Sequence, residues 1–213
     1  MKYVLWDWNG TLFDDVAAGL NAANAMLRRR GLPEISKERY RASFGFPVRN
    51  FYTAVGFRLE EEDWDALAVE YHDFLRGDPS QRLREGAMEA LCLVKSAGAG
   101  QSVISALRQD MLLSDTSRAG ISGFMDRIYG VDNLDGATKL SRARELVSEL
   151  GLGPGDAVVV GDTLHDLETA REIGAGCVLA DLGHQSLAGR VPCGVPVVDS
   201  LVAAARQALG ASL

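Results

Sequence analysis

A chain of 213 residues has room for one α/β domain and a modest insertion. It is 47% hydrophobic and 24% charged, an ordinary globular make-up. With a formal charge of −7 it shows no basic patch for nucleic acid, and no apolar run approaches the length needed to cross a membrane.

Residues 3–8 predict a buried strand, because Trp6 and Trp8 stand in an apolar, β-branched run that ends in a carboxylate, Asp7. Gly10 then turns the chain tightly. Residues 14 to 84 contain no convincing buried strand. They predict helices over 16–30, 36–43, 48–56 and 61–75, with Ser36 as an N-cap and turns at Gly31-Leu32-Pro33 and Gly77-Asp78-Pro79-Ser80. Strands are expected at 102–105, 127–129, 157–160, 177–179 and 195–198, and helices at 88–97, 139–150, 167–173 and 199–213. Gly98, Gly120, Gly151 and Gly174 fall where helices should stop. The alternation predicts an α/β fold, a doubly wound parallel sheet with a Rossmann-like core. Cys92, Cys177 and Cys193 form neither a CxxC pair nor a disulfide framework and are expected as small buried hydrophobes in a reducing compartment. With no signal-peptide pattern at its start, the chain is expected to be cytoplasmic. Nothing in the pattern fixes an oligomeric state.

Four loops carry chemistry, each after a predicted strand, where open α/β sheets bind ligands. Asp7 is poorly placed for structure alone, since carboxylates are seldom buried without partners. Ser105 ends a strand and, with the Ala106 amide, could donate to an oxyanion. Lys139 opens a helix, where a cation is mildly unfavourable on dipole grounds. Val158-Val159-Val160-Gly161-Asp162 ends an apolar run in an acid, with Asp166 four residues on, either a helix N-cap or a second oxygen donor beside Asp162.

Asp7-Trp8-Asn9-Gly10-Thr11-Leu12 resembles the first motif of the haloacid dehalogenase (HAD) superfamily, written Asp-x-Asp-x-Thr/Val. Ser105, Lys139 and Gly161-Asp162-Thr163-Leu164-His165-Asp166 resemble its other motifs, in the family's order and over nearly the whole chain. The resemblance implies a core over 1–13 and 85–213 with an inserted helical cap over 14–84. It implies Mg²⁺ held by Asp7, the backbone carbonyl of Asn9 and Asp162, with Asp166 in an outer position. Asp7 would be the nucleophile and Lys139 its orienting cation. Gly10, Thr11, Ser105 and Ala106 would receive the phosphoryl group of a small phosphorylated metabolite. The chain departs from the pattern at Asn9, where the family has the general acid/base. An amide has no useful proton to give, although it still forms hydrogen bonds.

The cap and overall pattern resemble the phosphoglycolate phosphatase branch. Gly45-Phe46-Pro47 and Arg49 resemble the cap segment that faces substrate there, and Arg49 and Arg108 could bind a second anionic group. His165 is the nearest group in sequence to stand in for the missing acid. The alternatives are a phosphonatase using Lys37 as a Schiff-base lysine, a metal-free dehalogenase, which the acid pair Asp162/Asp166 argues against, and a catalytically weak phosphate-binding module.

Overall fold

The computed structural model describes residues 3–132 and 139–210. Strand β1 (Tyr3–Trp6) buries both its faces, Val4 and Trp6 in one apolar layer and Tyr3 and Leu5 in the other. Burial on both sides is why the run is apolar throughout instead of alternating. The short β2 (Phe13–Asp14) leads into helices α1 (Val16–Arg29), α2 (Lys37–Ser43), α3 (Val48–Val55) and α4 (Trp64–Leu75). The chain returns through β3 (Arg82–Leu83), which pairs antiparallel with β2. These four helices enclose an apolar cluster of their own, built on Met26, Leu27, Tyr40, Phe51 and Leu67.

From there the strands and helices alternate: α5 (Ala87–Ser96), β4 (Gln101–Arg108), α6 (Gln109–Arg118), β5 (Ile128–Val131), α7 (Leu140–Glu149), β6 (Ala157–Gly161), α8 (Leu164–Glu172), β7 (Gly176–Ala180), β8 (Val197–Val198) and α9 (Leu201–Leu209). The six-stranded sheet runs β5-β4-β1-β6-β7-β8, with every pairing parallel. Helices α5 and α9 pack on the Val4 and Trp6 face, and α7 and α8 on the Tyr3 and Leu5 face. This is the expected doubly wound α/β fold. Its strand order reverses beside β1, so the crevice at the ends of β1, β4 and β6 is the topological switch point.

Several local expectations change. The first strand stops at Trp6, and Trp8 instead stacks on Phe13 with ring centroids 4.9 Å apart. Gly120 marks the end of α6, but the span of that helix is not legible, because only Leu112 and Thr116 of its ten residues are buried and its apolar periodicity is faint. The cysteine expectation fails: Cys92 and Cys193 are exposed and Cys177 is only half-buried. Cys92 lies on the outer side of α5, between inward-facing Leu91 and Val94. Ser36 does cap α2, accepting from the Arg39 amide at 3.2 Å. Gly98, Gly120, Gly151 and Gly174 take positive φ just past their helices. Residues 133–138, just before Lys139, and residues 211–213 of the expected last helix lie outside the described residues. No described helix is long and apolar enough to cross a membrane.

Candidate active site

The ends of β1 and β6 bring Asp7 and Asp162 together, and the first turn of α8 adds Asp166. All three are buried, with carboxylate oxygens within 4.8 Å of one another. Lys139, just ahead of α7, is 2% exposed rather than solvated. Its ammonium contacts Asp7 Oδ1 and lies 2.5 Å from Asp166 Oδ1. The other oxygen of Asp166 accepts from the Thr163 amide (3.0 Å) and hydroxyl (2.8 Å), closing a capping box on α8. The N-cap is therefore Thr163, and Asp166 is its reciprocal partner one turn in. Asp162 is held by the Thr11 hydroxyl at 3.1 Å and the His184 amide at 2.6 Å.

Three carboxylates thus face one ammonium in a buried site, and negative charge is in excess. Burial pushes Asp7 well above the ordinary carboxylate range; Lys139 opposes that push, and Asp166 and Asp162 add to it. Burial likewise pushes Asp162 up to about 6. Asp166 is held low, because Lys139 and the Thr163 donors outweigh its burial. Burial works against the charge on Lys139, but Asp166 and Asp7 more than compensate and keep it protonated. An all-oxygen, buried, over-negative cluster suits a hard divalent cation.

Gly10 and Thr11 are expected to receive phosphate, but both turn toward Asp162. Gly10 has φ +78°, and a Cβ there would collide with the Asp162 carboxylate and lie 2.7 Å from the His184 ring. Glycine is thus required on both backbone and packing grounds. Thr11 is fully buried and its hydroxyl is engaged by Asp162.

Two groups that sequence reasoning missed stand behind Asn9. Asp15 accepts from the Asn9 amide nitrogen (2.7 Å), the Gly10 N–H (2.8 Å) and His184 Nε2 (2.9 Å). His184 Nδ1 pairs with the Tyr40 hydroxyl at 2.9 Å. Burial works to raise Asp15, but His184 outweighs it and holds it low. In turn Asp15 outweighs the burial of His184 and raises it above the usual imidazole value. Because a carboxylate only accepts, the NH₂ of Asn9 must face Asp15. Its carbonyl faces the site, 3.5 Å from the Ser105 hydroxyl.

Above this cluster a cavity of about 140 Å³ runs up between the sheet edge and the helices. Asp7, Asn9, Ser105, Ala106, Lys139 and Asp162 line its floor. Segment 44–48 does face it, through Phe44, Phe46 and Val48. Arg49 does not line it; its exposed guanidinium stacks on Trp64, 4.1 Å from the ring centroid. Arg108 lines the cavity, but its guanidinium is forked onto Asp110 at 2.6 and 2.7 Å. His165 lies outside, stacked on Phe46 with centroids 4.5 Å apart, so the structure does not bring it to Asn9. Lys37 is exposed at the start of α2 and does not line the cavity.

The haloacid dehalogenase-like hydrolase family matches residues 4–180. The chain belongs to this family. The hydrolase is 26% identical to a phosphoglycolate phosphatase of Chromobacterium violaceum over 199 residues, covering 86% of each chain. It is 24% identical to an N-acetylmuramic acid 6-phosphate phosphatase of Pseudomonas aeruginosa, covering 86% of this chain and 83% of the relative. A crystal structure of a predicted phosphatase from Clostridium acetobutylicum superposes with a TM-score of 0.81 at 19% identity, covering 98% of both chains. The hydrolase is an enzyme of the superfamily's phosphatase group. The two relatives are named for different phosphate esters, so the common element is the phosphoryl group and not the alcohol.

Proposed function

We propose that this hydrolase is a Mg²⁺-dependent phosphatase acting on a small phosphate monoester through an aspartyl-phosphate on Asp7. The observation that carries the reading is the buried Asp7–Lys139–Asp166 chain beside Asp162, at the floor of a cavity. Asp7 attacks phosphorus in line, a new P–O bond forming as the ester P–O bond breaks, and the ester oxygen leaves with its bonding electrons and takes a proton from water to give the alcohol. Water then attacks the same phosphorus, releasing phosphate and the free carboxylate. Lys139 holds Asp7 in place and offsets phosphoryl charge, while the Ser105 hydroxyl and the Ala106 amide offer donors to the equatorial oxygens. Asp7, the backbone carbonyl of Asn9 and Asp162 would hold Mg²⁺, with Asp166 behind them fixing Lys139. When bound, the ion neutralises charge on the transferring group. The helices of 14–84 act as the cap that keeps bulk water from the acyl phosphate.

Asn9 cannot protonate the leaving oxygen. General acid–base help is worth about 10²–10⁴-fold, so turnover is slow on alkyl esters and less impaired on aryl or acyl phosphates, whose leaving groups need no proton. The test is phosphate release from an aryl phosphate with Mg²⁺. Asp7→Asn should lower the rate on the order of 10³-fold or more. Equal rates for wild type and Asp7→Asn would end the reading. No turnover, with Mg²⁺-dependent phosphate binding retained, would make the chain a binding module.

A further inference from the structure

The floor of the cavity is charged, but its upper wall is not. Tyr40, Phe44, Phe51, Trp64, Leu67 and Tyr71 form it. The rings brace one another: Tyr40 lies 5.3 Å from Phe51, and Phe44 lies 5.6 Å from Phe51. The Tyr40 hydroxyl is turned to His184. His72, also on the wall, is pushed by burial down to about 4 and is neutral at physiological pH. Every cation among the described lining residues is engaged. Lys139 is held by Asp7 and Asp166, Arg108 by Asp110, and His184 by Asp15. Arg49, the residue expected to meet a second anionic group, is stacked on Trp64 outside the cavity. A carboxylate on the substrate would thus lie in an apolar pocket near Asp7, Asp15 and Asp162, with no uncommitted cation among the described residues that line it.

Resting on the phosphatase reading above, we propose that the alcohol released is uncharged and apolar, with a ring that packs against this aromatic wall. The substrate is then the phosphate monoester of an aromatic or alicyclic alcohol, not a phosphate bearing a second acid group.

Benzyl phosphate and phosphoglycolate test this directly, because both are esters of primary alcohols and differ in what the cavity must accept. With Mg²⁺, kcat/KM for benzyl phosphate should exceed that for phosphoglycolate on the order of 10- to 100-fold, the worth of burying one ring. Leu67→Phe, which fills the cavity, should lower the ratio of benzyl phosphate to acetyl phosphate turnover. Phosphoglycolate turned over as well as or better than benzyl phosphate overturns the proposal and leaves the phosphatase reading standing. If no phosphate is released from any of the three, the phosphatase reading fails. The proposal about the released alcohol then falls with it, whereas the phosphoglycolate outcome overturns the proposal alone.

Discussion

Asn9 is not a simple vacancy in the acid–base machinery, because its amide is locked. The Asp15 carboxylate takes the NH₂ at 2.7 Å, so the carbonyl is what the substrate meets. Restoring an acid at position 9 alone therefore has a cost. Asn9→Asp places two carboxylates in contact, and they must share a proton or separate. We expect the single variant to lose about 1–3 kcal/mol of stability. Exchanging the pair, Asn9→Asp with Asp15→Asn, restores an amide-to-carboxylate hydrogen bond with the acid now facing the site. The exchanged protein should recover stability and gain about 10²–10⁴-fold on alkyl phosphates. Denaturant midpoints and kcat on benzyl phosphate check both halves. An exchanged protein as slow as wild type would mean that proton transfer is not what limits the enzyme. The carboxylates Asp7 and Asp162 are readable in the sequence because each ends an apolar strand. Asp15 is not, since Asp14-Asp15 resembles an ordinary polar helix entry. His184 does carry a signal: it follows a strand of the same sheet edge, β7, as Asp7 follows β1 and Asp162 follows β6.

The β2–β3 ribbon is the element on which the reacting loop depends. Its two residue pairs, Phe13 with Leu83 and Asp14 with Arg82, are too short to show any periodicity, so the sequence pattern does not reveal it. Just past the ribbon, Arg84 donates to the carbonyls of Thr11 (2.8 Å) and Gly10 (3.0 Å) and pairs with Asp14 at 3.2 Å. Its backbone N–H adds a bond to the Leu12 carbonyl at 2.8 Å. The side chain is 11% exposed, so water does little to replace those bonds. Arg84→Met keeps the stem and removes the fork. It should cost about 2–3 kcal/mol, the scale of losing charged donors to buried carbonyls, and slow turnover through loss of loop order at Asn9-Gly10-Thr11. Urea unfolding followed beside kcat measures this. Unchanged stability would show that the ribbon pairing alone fixes the loop. Arg49 fails as a sequence assignment for the converse reason. Guanidinium chemistry suits an anion, but the direction of the side chain is set by Trp64, which no sequence spacing discloses.

On the scale of the whole molecule, sheet and layers are readable because the central strands β1, β4 and β6 are buried runs and helical patterns separate most of the strands. What composition hides is where the acidic excess lies. The formal charge of −7 looks like a solvated surface, yet Asp7, Asp162 and Asp166 sit with one Lys139 in the interior, at the point where the two halves of the sheet meet. A cation there relieves repulsion that the folded chain bears and the unfolded chain does not. Mg²⁺ should therefore stabilise the fold itself. At 100 times Kd the linkage contribution is about 2.7 kcal/mol. For a chain of this size each kcal/mol moves Tm by roughly 2–4 °C, so a rise of about 5–10 °C is expected over a chelator control. Sodium chloride at matched ionic strength should give little of it, since buried pairs are poorly screened. Asp162→Asn should remove most of it, because that change takes away one of the oxygen donors and one of the repelling charges together. If Mg²⁺ and sodium shift Tm equally, the excess charge is being met by protons on the raised carboxylates and not by a bound divalent ion.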